Sequence, residues 1–263
     1  MDIDRIKAGI KGTIGREIYL YDIVDSTNTI ALQLSENSSD GTVVIADSQR
    51  KGRGRLGRRW FSPPGLNLYL SIILKGGINN KKLNLLTFIA SIACAHAIRR
   101  FSGLNVSIKW PNDLIISKKK LGGILTELKF NKDSFIAVVG IGINVNINIS
   151  EFPEEIRPIS TSLRNETGKT YSREDLIAEI LNEFDEWYST LKKDDKDRIF
   201  NEWKRLNITL GKKVKILSEG KTLVGIAEDI DENGFLLLKL QSCVIKKIIS
   251  GDVKLINNQS FLP

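Results

Sequence analysis

Gln49-Arg50-Lys51-Gly52-Arg53-Gly54-Arg55-Leu56-Gly57-Arg58-Arg59-Trp60 decides how the first half of this chain can fold. Glycines at 52, 54 and 57 have the spacing of a dinucleotide-binding turn, and they follow a β-branched run at Thr42–Ala46. In that fold the third glycine opens a helix. Here Arg58-Arg59-Trp60-Phe61-Ser62-Pro63-Pro64-Gly65 follows, and the paired prolines deny a helix its donors. A doubly wound nucleotide fold is therefore rejected. The stretch reads as a loop whose glycines let backbone approach a ligand and whose arginines offer planar forks to carboxylate or phosphate oxygens. A solvated basic loop touching nucleic acid loosely is the alternative. Trp60 reads either as a core anchor or as a nucleotide contact.

Around this loop the pattern is that of a sheet. Glu17–Val24, Thr42–Ala46 and Asn67–Leu74 read as strands, the last followed by a Gly-Gly and Asn-Asn turn, and Thr29–Ser35 as a short helix after Ser26-Thr27-Asn28. Leu83–Phe101 is the clearest helix of the first half. Val106–Trp110, Leu114–Ile116, Leu121–Phe130 and Phe135–Val145 predict four more strands in an antiparallel or mixed sheet. A second helical block starts at Ser172, where Ser-Arg-Glu-Asp resembles a capping box, and continues through Phe200 and Trp203. From Asn207 five short strands (Lys213–Leu217, Thr222–Asp229, Gly234–Leu240, Val244–Ile249, Val253–Ile256) predict a small β-barrel of SH3-like size. The expected class is thus α+β, a mixed central sheet flanked by helices. Its expected domains are residues 1–206 and a C-terminal unit of residues 207–263.

Three further segments carry chemistry. Lys109-Trp110-Pro111-Asn112-Asp113 ends a strand with a cation, an aromatic ring and a turn. Lys120-Leu121-Gly122-Gly123 and Gly140-Ile141-Gly142-Ile143-Asn144 place glycines inside strands, where they cost stability and often mark the close approach of another group. Lys120 taken alone also fits a wet turn, since it ends a run of three lysines.

Composition narrows the class further. With 41% hydrophobic and 27% charged residues among 263, the chain is an ordinary globular sequence. The N-terminus has no signal-like apolar stretch, and the apolar run Leu85–Ile98 is too short to span a bilayer, so a cytoplasmic location and no membrane association are expected. Cys94 and Cys243 are too far apart for a CxxC site and read as buried or half-buried packing residues. The single histidine, His96, sits in an apolar helical pattern and reads as structural. The net charge of +8 is concentrated in residues 1–120, with 19 Lys and Arg against 9 Asp and Glu. Such a field suits phosphates or carboxylates without choosing between nucleotide, nucleic acid and acidic protein.

Taken in order, Ser26-Thr27-Asn28, Gly52 to Trp60, Lys109 to Asp113, Lys120 to Gly123 and Gly140 to Asn144 resemble the signature motifs of the biotin protein ligase family, from about Ile14 to the C-terminus. The resemblance implies a class II synthetase-like catalytic domain of the biotin/lipoate ligase type. It implies activation of biotin with ATP to biotinyl-5'-AMP and transfer to a lysine of a biotin carboxyl carrier protein, releasing AMP and pyrophosphate. Residue by residue, it implies biotin contacts at Ser26, Thr27, Asn28, Gln49, Arg53, Gly54, Arg55, Lys120 and Gly123. ATP contacts would be Arg55, Trp60, Lys109, Asn112, Gly142 and Asn144, with Arg53 and Lys120 as the catalytic cations. Ser26 to Asn28 would equally serve as a helix cap. Mg²⁺ would enter with the ATP phosphates, with no protein ligand assigned. Relatives commonly dimerise through the sheet, so a homodimer is expected. Only about 25 residues precede Ser26, too few for a winged helix-turn-helix, so a short form without specific DNA binding is expected.

Two rivals remain at this stage. Lipoate ligases and octanoyl transferases typically carry a histidine beside their glycine-rich motif, which is missing here. A nucleic-acid-binding protein would not need the Pro-Asn-Asp and Gly-Ile-Asn segments.

Overall fold

The computed structural model describes residues 1–76, 82–131, 134–218 and 220–256. The turn expected after Leu74 lies largely outside these residues. Seven strands form the main sheet in the order β1-β2-β3-β7-β6-β5-β4. They are β1 (Ile18–Val24), β2 (Val43–Gln49), β3 (Leu68–Lys75), β4 (Ser107–Lys109), β5 (Asp113–Ile116), β6 (Lys119–Asn131) and β7 (Ser134–Ile143). Only β1 and β2 run parallel; every other neighbouring pair is antiparallel, so the sheet is mixed as expected.

Helices cover both faces, and this explains why β3 is apolar at nearly every position instead of alternating. On one face α2 (Thr27–Leu34) packs Ala31 over Val44, Ile73 and Val138. On the other, α3 (Leu85–Ser102), α5 (Arg173–Lys192) and α6 (Lys196–Leu206) join Leu70, Ile72, Val139 and Ile141 in the main core. The Ser172 hydroxyl accepts from the Asp175 N–H and caps α5, as the sequence signals. Asp175 itself pairs with Arg5 of α1 (Ile3–Gly9), an element without a strong pattern of its own. The short α4 (Leu163–Thr167) follows the end of β7.

The five C-terminal strands, β8 (Lys213–Ser218), β9 (Lys221–Ile230), β10 (Leu236–Leu240), β11 (Ile245–Ile248) and β12 (Asp252–Leu255), form one antiparallel sheet with β11 and β12 at its edges. Val214, Ile216, Leu236 and Leu238 from this sheet belong to the same core cluster as Phe88, Trp110 and Trp203. Phe88 and Trp203 stack at 4.3 Å, a Cβ at Gly234 would stand 2.9 Å from the Phe88 ring, and the Trp110 indole donates to the Gly234 carbonyl at 3.2 Å. The two sheets thus share apolar packing.

Cys94 is buried, and its thiol is pushed far up by that burial. Cys243 departs from expectation. It is exposed, at φ 62° in the turn before β11, where its N–H closes onto the Leu240 carbonyl. An isolated cysteine in an apolar-looking run cannot reveal that it occupies a turn position.

Candidate active site

The face of the main sheet beneath α2 has a floor of small residues. In register across three strands lie Ser71 beside Gly140 and Gly142 beside Gly123. Their size lets other groups descend onto the sheet. A Cβ at Gly140 would stand 2.1 Å from Asn28 Oδ1, and one at Gly142 would stand 2.6 Å from Trp60 Nε1, so neither position admits a side chain without displacement. The two glycines are about 7 Å apart along β7, and they join two clusters of polar side chains.

The cluster over Gly140 is held by hydrogen bonds. Ser26 occupies the N-cap of α2 by its backbone, but its hydroxyl makes no capping bond. The Thr27 N–H is met instead by Gln49 Oε1 at 2.9 Å, and Gln49 Nε2 donates to the Ser62 hydroxyl at 2.9 Å. The Ser71 hydroxyl lies 2.8 Å from that of Thr27 and donates to Asn28 Oδ1 at 2.6 Å. Asn28 Nδ2 donates to the Leu125 carbonyl at 3.1 Å and to Glu127 Oε2 at 2.7 Å. The same oxygen accepts from Arg53 Nη2 at 2.8 Å.

The cluster over Gly142 is charged. The arginine loop is pinched into a hairpin by the Gly54 N–H donating to the Arg58 carbonyl and the Trp60 N–H to that of Gly52. Leu56 and Gly57, both at positive φ, turn its tip. Arg58 at this tip pairs with Asp252 of β12, which brings the C-terminal sheet to the loop. Arg55 points inward, with Nη1 3.4 Å from Asn112 Oδ1, while Asn112 Nδ2 donates to the Ile124 carbonyl at 2.6 Å. Asp113 takes Lys120 at 2.5 Å and Lys109 at 3.2 Å, and Lys120 Nζ lies 5.5 Å from the centroid of the Trp60 ring. Burial alone would raise the Asp113 carboxyl; Lys120 and Lys109 outweigh it and hold the group below its usual range. Arg55 has the converse problem. Burial pushes its guanidinium below the usual value, Asp113 offsets this in part and Arg58 adds to it. Among the described residues no carboxylate forms an ion pair with Arg55, whereas Arg53, Lys109 and Lys120 each have one.

Most of the expected site residues therefore line one face, but not as a single cationic hollow. Arg53 and Lys120 belong to opposite ends of the row and have different carboxylate partners. The arginine on the Lys120 side is Arg55. Gly123 sits under Lys120, since a Cβ there would stand 3.5 Å from Nζ. Gly54 lies in the hairpin with its N–H already used. Asn144 is buried, and its amide is turned to the Thr161 carbonyl at 3.0 Å, bracing the segment after β7. Trp60 lies on Gly142, outside the two apolar clusters, and its buried Nε1 has no partner; Trp110 is the core tryptophan. Ser71 and Glu127 were missed. The two-residue period of β6 from Gly123 through Leu125 to Glu127 is the signal that puts Glu127 on this face. No group of three or more potential metal ligands occurs among the described residues.

On the helical side His96 bridges Glu183 at 3.3 Å and Glu202 at 2.5 Å, tying α3 to α5 and α6. The bond to Glu183 raises its pKa, burial opposes this, and Glu202 adds to the rise.

Comparison with known proteins gives consistent matches. A sequence profile described as Biotin/lipoate A/B protein ligase family matches residues 20–144, and one described as Biotin protein ligase C terminal domain matches residues 209–255. The chain is 36% identical over 253 residues to the bifunctional ligase/repressor BirA of Bacillus spizizenii, covering 95% of this chain and 78% of that protein. It is 30% identical over 222 residues to the biotin--[acetyl-CoA-carboxylase] ligase of Paracoccus denitrificans, covering 82% of this chain and 91% of that one. Among solved structures, the biotin protein ligase from Aquifex aeolicus in complex with biotin and ATP superposes with a TM-score of 0.79 at 34% identity, over 92% of this chain and 99% of the other.

Proposed function

The chain belongs to the biotin protein ligase family, and from that premise we propose how its own residues divide the work of the reaction. The enzyme activates biotin with ATP to biotinyl-5'-AMP and transfers biotin to a lysine of a biotin carboxyl carrier protein. Biotin has a neutral ureido head and an anionic tail, and the two clusters differ in the same sense. Thr27, Asn28, Gln49 and Arg53, with Ser26 and Gly54 beside them, take the head. Arg55, Lys120, Lys109, Asn112 and Trp60 take the carboxylate and the ATP phosphates, with Gly123 and Gly142 as floor. Asn144 keeps the adenine side in shape from behind.

The chemistry brings two anions together. A carboxylate oxygen of biotin attacks the α-phosphorus, and pyrophosphate leaves with its bonding electron pair. Carboxylate and phosphate repel until cations stand between them, and fixed donors in a partly buried site do this without reorganising. The observation that carries the reading is Arg55, a part-buried guanidinium that no carboxylate pairs with among the described residues. A phosphoryl oxygen would complete it. Lys120, beside Trp60 and Gly123, would bridge the biotin carboxylate and the same phosphate. In the second half-reaction the acceptor lysine attacks the acyl carbon and AMP departs. No nucleophile from this chain is needed.

Mg²⁺ fits this donor set only as an ion carried by the phosphates. Among the described residues Asp113 is the carboxylate paired to both Lys109 and Lys120, and it stays ionised. Magnesium sites of this kind use one or two carboxylates together with substrate oxygens. When bound, the ion would neutralise phosphate charge. A homodimer, a cytoplasmic location and a unit boundary at residues 206/207 belong to the same reading. Light scattering of the pure protein tests the first.

The direct test of the function is incubation with biotin, ATP and Mg²⁺ and detection of biotinyl-5'-AMP by mass spectrometry, with lipoate in parallel. Biotinyl-5'-AMP is expected, and lipoyl-5'-AMP far below it. Absence of the biotin product, or preference for lipoate, overturns the reading.

A further inference from the structure

We propose that Glu127 is a positioning residue for biotin recognition, which fixes Asn28 and Arg53 together; this rests on the assignment of those two residues to the biotin head. One carboxylate oxygen is the shared acceptor, 2.7 Å from Asn28 Nδ2 and 2.8 Å from Arg53 Nη2. The three residues come from α2, the arginine loop and β6, with Glu127 separated from the other two by 99 and 74 positions in the chain, so Glu127 is where two elements distant in sequence are registered on the sheet.

The bonding around Asn28 gives the carboxylate a definite task. Asn28 is 4% exposed, its Oδ1 accepts from Ser71, and its Nδ2 is shared between the Leu125 carbonyl and Glu127. An amide so enclosed presents one orientation to a ligand. Removing Glu127 leaves a buried donor with a single, longer bond and frees the amide to turn from its present place over Gly140.

Arg53 depends on Glu127 still more. Its side chain is 42% exposed, and Glu127 holds its only side-chain bond among the described residues. Loss of the carboxylate would release the guanidinium to solvent and unpin the first turn of the loop from the sheet. The pairing also sets charge. With Arg53 offset by Glu127, the Gly140 end stays neutral and suits a ureido ring, while unpaired positive charge stays with Arg55 at the other end. Glu127 thereby helps decide which way round biotin lies.

Initial rates of biotinyl-5'-AMP formation, measured against biotin and against ATP separately, test this in the wild type, Glu127→Ala and Glu127→Gln. For Glu127→Ala the KM for biotin should rise about tenfold to a hundredfold, the effect of losing charge-assisted bonds, with kcat and the KM for ATP little changed. Glu127→Gln still accepts from both neighbours but leaves the Arg53 charge without its offset, and should recover part of that loss. An unchanged biotin KM in Glu127→Ala, a parallel rise in the ATP KM, or no recovery with glutamine in a variant that melts like the wild type would overturn the proposal. Should the alanine variant fail to fold, Glu127→Asp keeps the charge but withdraws it by one methylene, and the same split between the two KM values is expected. A wild type that makes no biotinyl-5'-AMP sinks the proposed function first, and this inference with it.

Discussion

The Gly140 end and the Gly142 end of the candidate site are built on the same strand, two residues apart, yet they are prepared in opposite ways. Over Gly140 the donors and acceptors of Thr27, Asn28, Gln49 and Ser71 are already joined to one another. Over Gly142 the cations Lys109 and Lys120 lean on Asp113, while Arg55 has no carboxylate of its own among the described residues. The first end has its shape fixed by hydrogen bonds and can be selective for a neutral ring. The second is left short of negative charge and is completed by what it binds. On the proposed assignment, one enzyme uses bonding saturation for recognition and charge deficit for chemistry.

Several variants break or sharpen that contrast. The largest effect is expected from Arg55→Ala, which removes the cation that has no ion-pair partner among the described residues: biotinyl-5'-AMP should dissociate or hydrolyse about ten to a hundred times faster, in line with loss of one charge-assisted contact to phosphate. Retention is read by filter binding of the labelled intermediate, and unchanged retention would remove Arg55 from the charged end. Next come the floor positions. Gly140→Ala should raise the KM for biotin and Gly142→Ala that for ATP, each by about fivefold or more, because overpacking costs ~1–3 kcal/mol. Equal effects on both substrates from either variant would mean that the ends are not separate.

A smaller change is expected in the loop. Residues 50–59 should become less accessible to protease when biotin and ATP are added together, since phosphate ties Arg55 down and the mixed anhydride needs shelter from water. Unchanged cleavage would count against closure. The smallest effect is a control remote from both ends. His96 has its pKa raised chiefly by Glu183, so its contribution to stability is fully present below the unfolded histidine value and is lost as pH rises through the raised folded one. His96→Gln should lower the melting temperature by about 2–4 °C near pH 6 and by less near pH 9, for roughly 1 kcal/mol in a chain of this size. Biotin and ATP KM values should not move.

Much of this was legible before the structure, for definable reasons. Strands β6 and β7 show long apolar or alternating runs, and the proline pair after Trp60 rules out the helix that a dinucleotide fold needs. Boundaries shifted where tertiary contacts override local pattern. β2 continues through Asp47 and Ser48 to Gln49 because β1 pairs with it to the end, and α2 begins at Thr27 because Gln49 meets the N–H left free there. Helix α1 is short and polar; Ile6 in the core and Arg5 on Asp175 hold it, and neither contact can be read locally. Within the site the glycines were readable because a strand tolerates them only under close approach. Glu127 was not, because a glutamate in an alternating strand looks like solvent-facing polarity until α2 and the arginine loop are seen to cross it. The pairing of Arg53 and Lys120 with different carboxylates was equally out of reach, since charge in a sequence says nothing about which partner offsets it.

Single-turnover formation of biotinyl-5'-AMP by Lys120→Ala, with calorimetric biotin binding in the absence of ATP measured alongside, bears most directly on the division between the two ends. Adenylate formation should slow by about a hundredfold, the scale of removing one preorganised donor from a developing anion, while biotin affinity changes severalfold at most. Normal adenylate formation, or loss of biotin binding as large as the loss in rate, would contradict it.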